Sequence, residues 1–241
     1  MKVDLIYYTG MESSDPYYAA KLLAFTKNTR LNMTPGSLGE FMNKGEAEID
    51  EELDYMSKTI KTALEFIDVT FLIQGISRST AQQITRTRIA VFQMQSQRVS
   101  DISSAGWDSK GEVFDAFFEQ SVENYSSMVE DGMPLEDARE IMPVGIHCNL
   151  VAKYNFRSAI DLIRARESAR VQGPYREVAL QMKQQILQAW PWAHFFFRDE
   201  SQLAYDMLGE ALEEIKGSGA VYKGTAGKVA KAIDLLKGSK A

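Results

Sequence analysis

Apolar and polar residues follow two different periods along the chain, and each period predicts a different kind of element. The stretches VDLIYYT and IDVTFLIQGI, at residues 3–9 and 67–76, are apolar and β-branched, which is typical of strands. Apolar residues recur at helical spacing from Glu112 to Val129, which predicts a long amphipathic helix. Further helices are predicted over residues 19–30, 47–65, 77–86, 133–142, 155–190 and 202–216, with a break at Gly173 and Pro174.

The composition limits the classes of protein. A chain of 241 residues that is 45% hydrophobic and 25% charged is typical of a globular protein with one large or two small domains. We expect a main domain over residues 1–217 and a Gly/Lys-rich extension over residues 218–241. No stretch has the h-region of a signal peptide or approaches the roughly 18 apolar residues of a membrane span. The expected protein is therefore soluble and cytoplasmic, without a membrane partner.

The small number of cysteines and histidines narrows the chemistry further. The only cysteine is Cys148, and the two histidines are His147 and His194. One thiol excludes an internal disulfide framework, and so few soft ligands predict that the protein has no metal site. The sequence also shows no Ser/His/Asp triad, phosphate loop or dinucleotide fingerprint. Any catalysis is expected to depend on arginines, amides and a cofactor.

A cluster of arginines without local carboxylates lies in the first half of the chain. From Val69 through Ser100 there is no Asp, Glu or Lys, whereas the arginines are Arg78, Arg86, Arg88 and Arg98. A formal net charge of -6 and a pI near 5.1 argue against a broad surface for nucleic acid. Two interpretations remain, which are a solvated edge strand and a pocket for a small phosphorylated ligand.

The spacing inside this cluster predicts an extended backbone. Arg86 and Arg88 are two residues apart, so they face opposite sides of a helix but the same side of a strand. Two arginines that bind one anion would therefore lie on an extended segment. The same parity holds for Gln93, Gln95 and Gln97.

A second basic cluster occupies residues 153–176 and includes Arg170. On a helix, Arg157, Asp161 and Arg164 share one face, and Arg166 falls about 180° from Arg157, on the apolar face. A buried guanidinium needs acceptors, because leaving it unpaired is costly. Arg166 could pair with a carboxylate of the protein, or it could reach solvent at the end of the helix. It could also bind a carbonyl or phosphate of a ligand through its planar donors.

The order of these motifs resembles that of the flavin-dependent thymidylate synthases. That family's signature is Arg-His-Arg, seven residues, Ser, one residue and Arg, and residues 86–98 match it except at Thr87, where the family has histidine. The segments TALEFIDVTFLIQGISRSTAQQITR, PLEDAREIMP and YNFRSAIDLIRAR resemble three further family segments. The resemblance covers about residues 5–197. It implies an α+β fold with a central, mostly antiparallel sheet that is flanked by long helices.

The resemblance also implies an activity and a site. The enzyme would transfer a one-carbon unit from 5,10-methylenetetrahydrofolate to C5 of deoxyuridine monophosphate (dUMP), with FAD that is reduced by NADPH. It would be a homotetramer with sites between subunits. The implied catalytic residues are Arg166, which would stabilise the ionised uracil ring without help from an enzyme cysteine, and Ser96. The implied nucleotide-binding residues are Gln83, Arg86, Ser96, Gln97, Arg98, Arg139 and Arg166. The implied flavin-binding residues are Thr62, Arg86, Thr87, Arg88, Met94, Asn155, Arg157 and Asp161.

Several positions depart from the family pattern. Besides Thr87, the family's Asn-Glu before the serine is Gln93-Met94, an upstream histidine is Ile60, and Gln-Trp-Glu is Gln172-Gly173-Pro174. Asp161 stands where an amide is common. The arginines are retained, but the polar groups around the reacting rings change. Two alternatives to thymidylate synthesis therefore remain. One is a related C5 modification, which is methylation of deoxycytidine monophosphate (dCMP) or hydroxymethylation of dUMP or dCMP, and the other is nucleotide binding without catalysis.

Overall fold

The sheet is the centre of the fold. The computed structural model of the protein describes residues 1–29, 33–59, 61–167, 173–218 and 223–238. Within these ranges the strands are β1 (Lys2–Tyr8), β2 (Asp68–Ser77), β3 (Val91–Met94) and β4 (His147–Asn155). They pair antiparallel in the spatial order β1-β2-β4-β3. The α+β class with a central antiparallel sheet is therefore confirmed.

Helices make up most of the remaining described residues. The α-helices are α1 (Tyr18–Asn28), α2 (Ser37–Met42), α3 (Glu46–Lys58), α4 (Arg78–Ile84), α5 (Glu112–Glu130), α6 (Leu135–Ala138), α7 (Phe156–Arg166), α8 (Gly173–Ala189), α9 (Glu200–Ser218) and α10 (Lys223–Gly238). Short 3-10 helices cover Thr62–Phe66, Arg139–Ile141 and Pro191–Phe196. In the described ranges, no helix combines the length with the apolar character needed to cross a membrane.

The two central strands show why one face of the sheet is buried. In β2 the side chains of Phe71 and Ile73 are fully buried, and they lie opposite Ala152 and Leu150 of β4. Most of the intervening residues are partly buried, and Lys153 of β4 is exposed, as the two-residue period of a strand requires. Helices α7 and α8 pack against the buried face, and their apolar residues join the same core. The opposite face is left more open to solvent.

Strand β4, which was not predicted from the sequence, pairs with β2 except at one irregularity. Its register with β2 is interrupted between Ile73 and Ile76, where Gly75 adopts φ +63°. The amide of Gly75 donates to Oδ1 of Asn149 over 3.1 Å, so a side chain of β4 satisfies the donor that the irregularity frees. Glycine is suited to this position because a residue with a Cβ rarely adopts that conformation.

The C-terminal region contains more helix than expected. Residues 218–241 were predicted only as a Gly/Lys-rich extension, but Lys223–Gly238 forms α10, which packs against α9 around Ala204, Met207 and Ala232. This small cluster is separate from the main core. The division into a main domain and an extension stays a prediction.

Candidate active site

Two adjoining clefts bring together arginines from distant parts of the chain. One cleft of about 420 Å³ is lined by Gln83, Arg86, Thr87, Arg166 and Tyr175. The second, of about 300 Å³, shares Thr87, Arg166 and Tyr175 and also includes Arg88, Ser158 and Asp161. We call the two together the arginine cleft. It unites Gln83, Arg86, Thr87, Arg88, Asp161 and Arg166, which are six of the residues that the resemblance implied.

The secondary structure explains how these residues meet. The hydroxyl of Ser77 accepts from the amide of Thr80 over 3.1 Å and starts α4 directly after β2. The side chain of Asn155 accepts from the amide of Ser158 over 2.8 Å and starts α7 directly after β4. Because β2 and β4 are antiparallel, these helices begin at opposite ends of the strand pair. The turn that follows α4 lies beside α7, because Thr87 and Arg88 line the same cleft as Asp161 and Arg166.

The cleft carries an excess of positive charge. Arg86 and Arg88 are exposed, and their guanidinium groups make no ion pair with any residue in the described ranges. Among the described residues, the only acidic side chain on the walls of the two clefts is Asp161, against three guanidinium groups. An anion that enters the cleft would therefore be attracted by uncompensated arginines, as localised positive charge in a concave site favours.

Arg166 has an aromatic partner and no acidic one among the described residues. Its Cζ lies 4.6 Å from the centroid of the Tyr175 ring. The side chain is partly buried at the end of α7, and the ion pair considered from the sequence is not found within the described ranges. The guanidinium group therefore lies over an aromatic ring and lines the cleft without a neutralising carboxylate among the described residues.

The signature residues near Arg98 form a second group, which we call the Arg98 patch (Ser96, Arg98, Glu136 and Arg139). The guanidinium of Arg98 donates to Oε2 of Glu136 over 3.0 Å, and Nε of Arg139 donates to the Glu136 carbonyl over 3.1 Å. The amide of Arg98 donates to the hydroxyl of Ser96 over 3.2 Å. None of these residues lines the arginine cleft. The implied nucleotide-binding residues are thus divided between two places in one chain.

Three of the eight implied flavin-binding residues, Asn155, Arg157 and Asp161, lie at the start of α7 or along it. Arg157 donates to the carboxylate of Glu65 over 2.7 Å. Glu65 lies in the same short 3-10 helix as Thr62, whose side chain is exposed. Asp161 lies between the arginine cleft and a shallow depression lined by Lys61, Arg157 and Arg164. The side chain of Asn155 is used as the cap of α7. Ile60, Arg170 and Gln172, which were named from the sequence, lie outside the described residues.

Met94 and Gln97 occupy less open positions. Met94 ends β3 opposite Leu150, and its partly buried side chain packs against the core. Gln97 is 5% exposed, and its side-chain Oε1 accepts a hydrogen bond from the guanidinium of Arg78. Neither side chain lines the arginine cleft.

The prediction of an extended backbone at Arg86 and Arg88 is wrong. The amide of Arg86 bonds the carbonyl of Gln83, and the amide of Thr87 bonds that of Ile84, so the chain turns here. The strand begins only at Val91. The parity argument also fails for Gln97, which is buried beyond the end of β3 although Gln93 and Gln95 are exposed. Arg86 and Arg88 reach adjoining clefts because of the turn, not because they share a strand face.

Comparison with known proteins identifies the family. The sequence matches the family described as "Thymidylate synthase complementing protein" over residues 4–192. The chain belongs to this family. A flavin-dependent thymidylate synthase of Geobacter sulfurreducens is 30% identical over 195 residues, which are 76% of this chain and 80% of that protein. One from Sulfurisphaera tokodaii is 29% identical over 139 residues, which cover 54% of each chain.

A solved structure supports the same fold. The flavin-dependent thymidylate synthase ThyX from Helicobacter pylori, complexed with FAD and dUMP, superposes with a TM-score of 0.65 at 17% sequence identity. The match covers 83% of this chain and 99% of the other. The thymidylate synthase complementing protein family therefore accounts for the sheet and the helices that carry the arginine cleft.

Three contacts of the site were missed in the sequence, and each joins distant residues. Glu65 pairs with Arg157, Glu136 pairs with Arg98, and Tyr175 stacks on Arg166. Pro174 signals the start of a helix, but it does not show that the next residue contacts the end of the preceding helix. Carboxylates are common throughout the chain, so Glu65 and Glu136 carry no signal of their own.

Cys148 is expected to be dispensable for the chemistry of this family member. The thiol is buried in β4, and burial raises its pKa, although Arg78 partly opposes this. A protonated, buried thiol is a poor nucleophile. We expect Cys148→Ala to keep turnover within about twofold of wild type and iodoacetamide to leave the folded wild-type thiol unmodified. Steady-state assays and mass spectrometry check this, and rapid alkylation of the folded protein with loss of activity would contradict it.

Proposed function

We propose that the protein is an FAD-dependent thymidylate synthase, which transfers the one-carbon unit of 5,10-methylenetetrahydrofolate to C5 of dUMP while NADPH reduces the flavin. The observation that carries this proposal is the arginine cleft, whose guanidinium groups are not neutralised within the described residues and which lies on a fold of this family. The location that we propose is the cytoplasm, and residues 218–241 are proposed as an extension of the catalytic domain.

In this proposal different arginines bind different parts of the nucleotide. The phosphate and sugar are bound by charged and polar donors from two groups. One group is Arg86 with Gln83, and the other is Arg98 with Ser96, Gln97 and Arg139. Arg166 donates to the pyrimidine carbonyl and stabilises the negative charge of the ionised ring, which makes C5 nucleophilic. A cysteine nucleophile is then unnecessary, in agreement with the buried position of Cys148. Arg166 is catalytic because it contacts the reacting ring. Ser96 is proposed as a second catalytic residue.

The chain also offers residues that fit FAD. A dinucleotide needs cations for its phosphates. On one side of Asp161 the cation is the guanidinium of Arg88, and on the other side the depression is lined by Lys61, Arg157 and Arg164. The proposed contacts are Thr62, Arg86, Thr87, Arg88, Met94, Asn155, Arg157 and Asp161. Bound flavin supplies hydride to the transferred carbon. Met94 is the weakest fit, because its side chain packs against the core.

A homotetramer is part of the proposal because the binding residues are divided. The Arg98 patch and the arginine cleft have no lining residue in common within one chain. A site that uses both is complete if a neighbouring copy places its Arg98 patch over the arginine cleft. Symmetric assembly makes such shared sites recur at equivalent interfaces.

The proposal is tested by the visible absorption spectrum of the protein after incubation with FAD and desalting, with and without dUMP. Retained flavin whose bands shift with dUMP is the expected result, together with formation of deoxythymidine monophosphate when NADPH and methylenetetrahydrofolate are added. Arg88→Ala should lose flavin, whereas Lys2→Ala, which alters an exposed ion pair with Asp4, should not. Absence of flavin in every condition would contradict the proposal.

One observation favours a second candidate substrate. Asp161 lies in the arginine cleft with Arg88 and Arg166, and a carboxylate accepts hydrogen bonds from an amino group. The 4-amino group of dCMP would provide such a donor, whereas dUMP has a carbonyl there. The same spectra recorded with dCMP distinguish the two, because the preferred nucleotide shifts the flavin bands at the lower concentration.

A further inference from the structure

The partner of Arg166 is a buried ring. Tyr175 is 2% exposed and belongs to the main core, so its position is fixed by packing. The guanidinium carbon of Arg166 lies 4.6 Å from the ring centroid, within the distance at which a cation is attracted to an aromatic face. Both residues line both parts of the arginine cleft. The ring is therefore a rigid support for a charged side chain at the edge of a cavity.

The helices that carry the two residues are fastened to each other beside this contact. Nε of Arg176 donates to the carbonyl of Glu167 over 2.9 Å, and Lys183 pairs with the carboxylate of Glu167. Glu167 directly follows Arg166 at the end of α7, whereas Arg176 and Lys183 belong to α8. The end of α7 is thus held against α8 at the place where Tyr175 meets Arg166.

Stacking holds an arginine in a way that an ion pair does not. A carboxylate would occupy the N–H groups along the edge of the guanidinium and would neutralise its charge. A cation that lies over the face of an aromatic ring forms no ion pair there, so it keeps its charge and has N–H donors left for a ligand. The described residues supply the ring without an acidic partner, which keeps the donors and the charge for the cleft.

We propose that Tyr175 is a positioning residue that orients the guanidinium of Arg166 toward the nucleotide. The proposal deepens the proposed function and rests on it, because it takes the nucleotide to be the ligand of Arg166. Tyr175 acts through Arg166. Its aromatic face is the property that matters, so phenylalanine should replace it and an aliphatic residue should not.

A double-mutant cycle on dUMP binding tests the proposal, with dissociation constants measured by calorimetry on the FAD-loaded protein. Tyr175→Leu should weaken binding about tenfold when Arg166 is present and less than about twofold in an Arg166→Ala background. Tyr175→Phe should stay within about twofold of wild type. Phe71→Leu, which removes an equally buried ring of the same core, controls for lost packing and should leave the dissociation constant unchanged.

The outcomes separate this inference from the proposed function. If Tyr175→Leu weakens binding by the same factor with and without Arg166, the positioning role is wrong although the nucleotide site remains. If Tyr175→Phe is as weak as Tyr175→Leu, the hydroxyl matters and the stacking argument is wrong. If the wild type binds no dUMP, the proposed function and this inference both fall. An upfield ring-current shift of the Arg166 side-chain protons in the ligand-free wild type, lost in Tyr175→Leu, would support the stack itself.

Discussion

Replacing Arg166 by alanine is expected to lower turnover about 100- to 1,000-fold, the usual effect of removing one preorganised donor to developing charge. The guanidinium is held on Tyr175 at the wall of the arginine cleft, and no carboxylate of the described residues neutralises it. Besides a weaker affinity for dUMP, the variant should show this loss in kcat, because the ionised ring needs the donor more than the neutral ring does. Steady-state formation of deoxythymidine monophosphate at saturating dUMP measures it.

Two further variants show whether the loss is specific to the position. Arg166→Lys keeps the charge but lacks the planar set of donors, so it should recover only part of the rate. Arg198 offers a matched control, because it also lies over an aromatic ring, 4.7 Å from the centroid of Phe195, and pairs with Asp54 away from the cleft. Arg198→Ala should keep turnover. An equal loss in Arg166→Ala and Arg198→Ala would show that the effect reflects general damage to the fold.

The sequence predicted the elements whose apolar pattern extends over many residues. The helix expected from Glu112 to Val129 is α5, and the strand expected over residues 67–76 is β2. Strand β4 has a period of two, with Cys148, Leu150, Ala152 and Tyr154 buried between mostly polar residues, and a turn at Pro143–Gly145 precedes it, so its local pattern is that of a strand although none was predicted. Its identity depends on pairing with β2 and β3, which are distant in the sequence.

The sequence indicated candidate site residues one by one but not their arrangement. Motif spacing indicated Arg86, Arg98 and Arg166, yet it did not show that Arg86 and Arg166 share a cleft while Arg98 pairs with Glu136 elsewhere. The inward direction of Arg166 followed correctly from helical geometry, because its place on the apolar face of α7 points it toward Tyr175. The partner itself depended on the path of α8, for which the local sequence has no signal.

Mixing two inactive variants is expected to restore activity if sites form between subunits. Arg98→Ala should weaken nucleotide binding, and Arg166→Ala should lower turnover about 100- to 1,000-fold, so each variant alone is nearly inactive at low dUMP. The two residues belong to separate groups within one chain, the Arg98 patch and the arginine cleft. In a randomly mixed oligomer about one quarter of the sites would combine an intact Arg98 with an intact Arg166, because each comes from a different copy.

The matched control for this experiment follows from the cleft itself. Arg86 and Arg166 line the same cleft of a single chain, so a mixture of Arg86→Ala and Arg166→Ala leaves every site with one arginine missing. That mixture should stay inactive after dissociation and reassembly, whereas the Arg98→Ala and Arg166→Ala mixture should regain about a quarter of wild-type activity. Recovery in neither mixture would place the complete site within one chain. Recovery in both would show that Arg86 and Arg166 serve different sites, against the shared cleft.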